Sequence, residues 1–104
     1  MVAYNSEDDE YMAIWQEFND EVGAWYLYGQ RVGTNGGLLG SDFEIASDAT
    51  EPAIAYSPEE NQYLVVWHDA DDYIQGVYVD ADGSLAGSNF IFYDTAVNSQ
   101  PDVA

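Results

Sequence analysis

The chain contains two copies of one segment. Residues 2–15 read VAYNSEDDEYMAIW, and residues 54–67, 52 positions later, read IAYSPEENQYLVVW. A period of about 50 residues predicts a repeat architecture, in which each unit buries its apolar face against a neighbour. Two units are fewer than such arrays need for stability, so the repeat also predicts that copies of the chain associate. The identical pairs are Ala3/Ala55, Tyr4/Tyr56, Glu7/Glu59, Tyr11/Tyr63 and Trp15/Trp67.

Each repeat has the pattern of four short strands. Alternating or continuous apolar runs are separated by turn sequences such as Asn35-Gly36 and Asp82-Gly83, which favour tight hairpins. No segment has helical periodicity. The units span residues 1–52 and 53–104, and the second includes the start of a further unit, because PDVA at 101–104 matches PAIA at 52–55. The predicted strands are 1–5, 10–18, 24–32 and 42–46, with a loop over 47–52, then 53–57, 62–68, 73–79 and 88–93.

Four strands per unit at this period are typical of a β-propeller blade. The runs P-x-[VI]-A-Y, Y-[LM]-[AV]-[VI]-W and G-x-x-V-x-x-[DN]-G-x-L-x-G-x-x-F resemble blade repeats of secreted bacterial multi-blade propeller proteins. The resemblance implies an all-β fold of two four-stranded antiparallel propeller blades, completed to a ring or array by oligomerisation. It also implies an extracellular or cell-surface location. Three copies would give six blades and four copies eight, and contacts that do not close would give a head-to-tail polymer.

Charge excludes several partners. Twenty acidic residues against one basic residue, Arg31, give a net charge of −19. A polyanion would meet no basic patch, so nucleic acid is not expected as a partner, and an anionic membrane surface is disfavoured for the same reason. Bound calcium or high salt would offset the repulsion among the acids. The absence of cysteine excludes disulfides and thiolate metal sites.

Two acidic turns are candidate calcium sites. Asp80 and Asp82 precede Gly83 in a D-x-D-G pattern, which resembles the start of a calcium loop. Asp69 and Asp71 cluster just after Trp67, where a cation would relieve their repulsion. The alternatives are an ordinary Asp-Gly hairpin turn and a solvated acidic loop.

The aromatic residues divide into core and ligand candidates. Six at equivalent places in the strands are expected in the blade core or between blades: Tyr4, Tyr11, Trp15, Tyr56, Tyr63 and Trp67. Trp25, Tyr26 and Tyr28 lie next to a hairpin that is longer in the first unit than in the second, and Tyr73 is their nearest counterpart. These four are candidates for stacking on glycans.

The predicted function is a non-enzymatic, self-assembling structural or binding scaffold. A lectin-type propeller that uses the loop aromatics is the alternative, and a hydrolase-type propeller is the third reading. His68 is the only histidine, and no nucleophile or orienting partner accompanies it in the sequence beyond the adjacent Asp69. No catalytic residues are therefore assigned.

Overall fold

A computed structural model of the chain describes residues 1–92, so the predicted start of a third unit at 101–104 lies outside the described residues. Residues 1–92 form two four-stranded antiparallel sheets, and they include no helix that could span a membrane. Sheet A has the order β1-β2-β3-β4 and sheet B the order β5-β6-β7-β8. The strands are β1 (Val2–Asn5), β2 (Glu10–Asn19), β3 (Ala24–Gly33), β4 (Leu38–Ser47), β5 (Thr50–Ser57), β6 (Gln62–His68), β7 (Ile74–Asp80) and β8 (Leu85–Phe92).

The repeat is visible in the backbone of the turns. Gly36, between β3 and β4, and Gly83, between β7 and β8, have φ of +85° and +94°, the left-handed region that glycine enters without a steric penalty. In both turns the side chain before the glycine accepts a hydrogen bond of 2.9 Å from a backbone N–H two residues later. Asn35 is the acceptor in sheet A and Asp82 is the acceptor in sheet B. The predicted hairpins are confirmed at both places.

The β1–β2 and β5–β6 corners match as closely. Tyr4 donates a hydrogen bond of 2.5 Å to Asp9, and Tyr56 donates one of 2.6 Å to Asn61. Both acceptors have positive φ, 52° and 51°. The Tyr4 ring lies 5.2 Å from that of Tyr11, and the corresponding pair in sheet B is 5.3 Å apart. Because the turn chemistry is the same, the two sheets present their tyrosines in the same way.

Each sheet has two faces, since side chains alternate along a strand. The tyrosine face carries the Tyr-Tyr pair and the tryptophan: Tyr4, Tyr11 and Trp15 in sheet A, and Tyr56, Tyr63 and Trp67 in sheet B. The aliphatic face is the opposite one. It carries Met12, Ile14 and Leu27 in sheet A, and Leu64, Val66 and Ile74 in sheet B.

The core lies between the aliphatic face of sheet A and the tyrosine face of sheet B. Eleven buried residues form one cluster that spans both sheets. Strand β5 runs beside β1, β2 and β3, so the short β4–β5 connection brings the second sheet across the first. The cluster comprises Met12, Ile14, Leu27, Ile45, Ala46, Ala49, Tyr63, Val65, Trp67, Val77 and Val79.

Three predicted strand starts are wrong, those of β4, β5 and β8, and β8 begins at Leu85 rather than at residue 88. Strand β4 begins at Leu38 rather than at residue 42, because register shifts opposite β3 and the positive φ of Gly40 (+74°) let the strand continue through an irregular stretch. The predicted loop over 47–52 is mostly strand. Asp48 and Glu51 both have positive φ, which bends the chain sharply, and β5 already pairs with β6 at Thr50.

Candidate interaction surface

Equivalent tyrosines on the two sheets have opposite exposure. Tyr63, in sheet B, is fully buried, whereas Tyr11, its counterpart in sheet A, is 36% exposed. Trp67 is buried, whereas Trp15 is only partly buried. The same residues therefore have the environment of a protein core in one sheet and of a surface in the other. The difference arises because, within residues 1–92, sheet A packs on the tyrosine face of sheet B and no sheet packs on the tyrosine face of sheet A.

Tyr63 is fully buried on the covered tyrosine face of sheet B. Burial raises the pKa of the Tyr63 hydroxyl to about 12, against a smaller lowering by the nearby Asn5 amide. That amide does not reach hydrogen-bonding geometry, and the hydroxyl is buried without a partner. An unsatisfied hydroxyl costs stability, so the apolar body of Tyr63 is what stabilises the interface.

The uncovered tyrosine face of sheet A is an apolar surface. Val2 is 59% exposed, Tyr4 46% and Leu38 70%. Their counterparts in sheet B are Ile54, Tyr56 and Leu85. Contiguous exposed apolar groups of this kind mark surfaces that bind another molecule.

Within residues 1–92 no second sheet packs on the aliphatic face of sheet B, although Ala53 and Val66 on that face are buried. Tyr78 is 41% exposed there, with its ring 5.7 Å from that of Phe90. Leu64 and Ala55 on the same face are half-buried. The two outer faces of the paired sheets are thus a tyrosine face, on sheet A, and an aliphatic face, on sheet B. These are the same two kinds of face that pack together in the internal interface.

A polar corner borders the internal interface. Arg31 donates from Nε to Glu10 Oε1 at 2.9 Å and from its terminal nitrogen to Oε2 at 3.2 Å. Glu10 is buried, so the pair is shielded from water on one side. The hydrogen bonds to Glu10 raise the pKa of Arg31, while burial opposes that rise and the charge of Asp82 on sheet B supports it. Arg31 also forms the shorter of the two ion pairs found within residues 1–92.

The ligand candidates are distributed over both faces of sheet A. Tyr26 and Tyr28 lie on the tyrosine face, stacked with ring centroids 6.4 Å apart. Trp25 lies on the aliphatic face, with its ring 5.2 Å from that of Phe18. Tyr73 is exposed at the start of β7.

Trp25 lines an open cleft of about 220 Å³ between the two sheets. The long β2–β3 hairpin of sheet A forms one wall, and the shorter β6–β7 turn of sheet B forms the other. Asp48 and Asp69 add carboxylates to the wall, together with Thr50. The length difference between the repeats is the sequence signal for this cleft, because Gly23, Ala24 and Trp25 of the longer β2–β3 hairpin line it.

Three of the four carboxylates proposed for calcium, those of Asp69, Asp80 and Asp82, accept hydrogen bonds inside the chain. Asp69 accepts hydrogen bonds from the backbone of Asp71 and Tyr73 and from the amide of Gln75, at 2.7–3.0 Å. Asp82 accepts from the backbone and hydroxyl of Ser84, which lower its pKa. Asp80 accepts from Gln62 at 2.8 Å. Within residues 1–92 no group of three or more metal-binding side chains converges on one point, and calcium binding stays a prediction.

His68 lies on the aliphatic face of sheet B. Its Nδ1 is 4.0 Å from a carboxylate oxygen of Glu51, and its Nε2 is buried without a hydrogen-bond partner. Gln16, its counterpart in sheet A, accepts a hydrogen bond of 3.1 Å from the backbone of Glu51. The two side chains thus converge on one bend of the chain.

Comparison of the chain with protein-family models, with curated proteins and with solved structures found no match.

Proposed function

We propose that this protein is a non-enzymatic β-propeller module that assembles into a scaffold from copies of itself. Sheets A and B act as two blades. Copies join head to tail, with the tyrosine face of sheet A in one copy packed on the aliphatic face of sheet B in the next. The observation that carries the proposal is that Tyr63 and Trp67 are buried, whereas their counterparts Tyr11 and Trp15 are exposed and only partly buried, respectively.

The internal interface supplies the template for this contact. It pairs the aliphatic face of sheet A with the tyrosine face of sheet B. The other tyrosine face, on sheet A, and the other aliphatic face, on sheet B, have no second sheet packed on them within residues 1–92. A contact between two different surfaces is heterologous, so it repeats from copy to copy. Three or four copies would close a ring of six or eight blades if the rotation between neighbours allows it. Otherwise the copies extend into a polymer.

The charge distribution is compatible with association. Ten of the twenty acidic residues lie in or next to turns, at 7–9, 20–21, 69–72 and 80–82. Glu17 and Glu44 lie on the tyrosine face of sheet A, beside Tyr26 and Tyr28, so packing that face brings two carboxylates near the contact. The net charge of −19 also opposes association over longer distances, and salt screens that repulsion.

Two blocking variants test the head-to-tail contact. Tyr4→Asp places a charge on the tyrosine face of sheet A, and Tyr78→Asp places one on the aliphatic face of sheet B. Each variant alone is expected to lose assembly, measured by size-exclusion chromatography with light scattering. An equimolar mixture is expected to form a dimer, because each variant keeps the face that the other needs.

Val22→Asp is the matched control. Val22 is 60% exposed at the tip of the β2–β3 hairpin, outside both faces, so its replacement is expected to leave assembly unchanged. Blocking variants that assemble like the wild type would contradict the proposal. So would a mixture of the two that stays monomeric although circular dichroism shows both to be folded.

The cleft at Trp25 favours carbohydrate binding as a second candidate. An aromatic ring beside carboxylates suits a sugar, which stacks its apolar face and donates its hydroxyls. A glycan array followed by calorimetry with the strongest binder tests it. Trp25→Ala is expected to abolish binding, and Leu85→Ala, at an exposed residue that lines neither the cleft nor the proposed contact, to leave it intact. An array without binders, run on the assembled protein, would remove this candidate.

A further inference from the structure

The polar corner of the two sheets differs between the repeats in a coordinated way. Arg31 stands on the aliphatic face of sheet A, and its counterpart on sheet B is Tyr78. Glu10, which binds Arg31, has Gln62 as its counterpart, and Gln62 donates to Asp80 within its own sheet. The ion pair of sheet A is thus replaced by neutral side chains in sheet B.

The turn that faces this corner changes with it. Inside the chain, Arg31 lies against the β7–β8 turn of sheet B. A Cβ at Gly83 would come within 3.5 Å of Arg31 Cδ and within 3.3 Å of the Phe43 ring. Asp82 in that turn carries a charge opposite to that of Arg31. The internal interface therefore pairs a cation with an acidic turn.

The corresponding turn of sheet A is neutral and uncovered. Residues 33–36 form the same hydrogen bonds as 80–83, at 2.8 and 2.9 Å, but the carboxylate of Asp82 is replaced by the amide of Asn35. A Cβ at Gly36 would meet nothing within 4 Å. The neutral turn and the neutral Tyr78 are thus both exposed, one at each end of the paired sheets.

We infer that this corner fixes the order in which copies join, an inference that rests on the proposed assembly. The tyrosine face of sheet A receives the aliphatic face of sheet B from a second copy, with Tyr78 seated against the turn at 33–36. Pairing the tyrosine face of sheet A with the same face of a second copy, or the aliphatic face of sheet B with its own copy, would keep Tyr78 away from the neutral turn. The acidic turn of sheet B is not available to a second copy, because sheet A of the same chain already packs against it. Sheets A and B therefore alternate through the assembly.

Cysteine cross-linking tests the order directly, because the chain has no cysteine of its own. Thr34→Cys labels the neutral turn. Ala86→Cys labels the aliphatic face of sheet B, directly opposite Tyr78 across the β7–β8 pair. A short bifunctional thiol reagent is preferable to a disulfide, which tolerates only a narrow Cα separation. Glu21→Cys, at the far hairpin, is the matched control.

The mixture of Thr34→Cys and Ala86→Cys is expected to give a cross-linked dimer. Neither variant alone, nor the mixture of Ala86→Cys with Glu21→Cys, is expected to exceed background. Cross-linking of either variant with itself would overturn the inference, as would an uncross-linked mixture that light scattering shows to be assembled. A mixture that is monomeric by light scattering would overturn the proposed function as well, so the two failures are distinguishable.

A charge cycle in the dimer of blocking variants gives a second measurement. Asn35→Asp in the Tyr78→Asp chain places a carboxylate against Tyr78 of its partner, and we expect the Kd to rise roughly three- to ten-fold. Tyr78→Arg in the Tyr4→Asp chain rebuilds the chemistry of the internal interface, and we expect it to reverse most of that loss. Independent effects of the two changes would contradict the pairing.

Discussion

Tyr11→Ala and Tyr63→Ala remove the same side chain from equivalent places and are expected to fail in different ways. Tyr63 is fully buried between the sheets, so Tyr63→Ala leaves a cavity and costs about 3–5 kcal/mol. A domain of 104 residues has a total stability of about 5–15 kcal/mol, so this loss leaves the fold marginal. Tyr11→Ala is expected to cost the fold less, about 2–3 kcal/mol, because 36% of Tyr11 is already exposed and its truncation leaves no enclosed cavity.

Tyr11→Ala is also expected to raise the Kd for association between copies. Tyr11 is 36% exposed, and a tyrosine buries about 150–250 Å² in a core, so roughly 55–90 Å² remains to be covered by a second copy. At about 25 cal/mol per Å² that area is worth about 1.4–2.3 kcal/mol. The expected Kd for association therefore rises roughly ten- to forty-fold.

Two assays separate the effects. Urea unfolding at low protein concentration measures the fold, and sedimentation equilibrium over a range of concentrations measures association. Conservative Tyr11→Phe is the control and is expected to keep assembly. The reasoning would be refuted if Tyr11→Ala destabilised the fold as much as Tyr63→Ala, or if it left association unchanged.

Four further predictions concern the charges and the tyrosine hydroxyls. Tyr63→Phe is expected to leave the fold as stable as the wild type or more stable, because the lost hydroxyl has no partner. Tyr56→Phe is expected to lower stability by about 1 kcal/mol, because it loses a hydrogen bond. Urea unfolding of the two variants measures both effects. Because the folded-state pKa of Tyr63 is raised from 10 to about 12, stability is full below pH 10 and falls by about 1.4 kcal/mol per pH unit between 10 and 12, and Tyr63→Phe is expected to remove that decline. Raising salt from about 0.01 M to about 1 M shortens the screening length from about 30 to about 3 Å and is expected to lower the Kd for association roughly ten-fold. A Kd from sedimentation equilibrium that rises with salt would contradict this. Calcium binding at the turns of Asp69 and Asp80 predicts that a chelator lowers the melting temperature at low salt, and an unchanged melting temperature would contradict it.

Much of the architecture is predictable from the repeat. The eight strands follow from alternating apolar runs, and the matching turns at Gly36 and Gly83 follow from the Asn-Gly and Asp-Gly pairs. The strand at 50–52 is not predictable in this way. It depends on positive φ at Asp48 and Glu51, a conformation that is uncommon outside glycine and especially so for Glu, and on pairing with β6.

The exposure of the tyrosine faces is the part that the sequence cannot settle. Tyr11 and Tyr63 have nearly the same neighbours along the chain, so no local pattern distinguishes the buried one from the exposed one. The difference comes from the order of the sheets, since sheet A covers sheet B and nothing in residues 1–92 covers sheet A. Two differences between the repeats are visible in the sequence: Tyr78 corresponds to Arg31, and Asn35 corresponds to Asp82. Only the structure shows that they are related, because it places Arg31 against the turn at Gly83.

The mass of the wild-type protein in solution tests the central claim most directly. Size-exclusion chromatography with light scattering at physiological salt is expected to give three or four times the 11.5 kDa of one chain, or a longer polymer whose mass grows with concentration. A folded species that stays at 11.5 kDa across the concentration range would contradict the account, because the tyrosine face of sheet A would then be stable in water without a second copy.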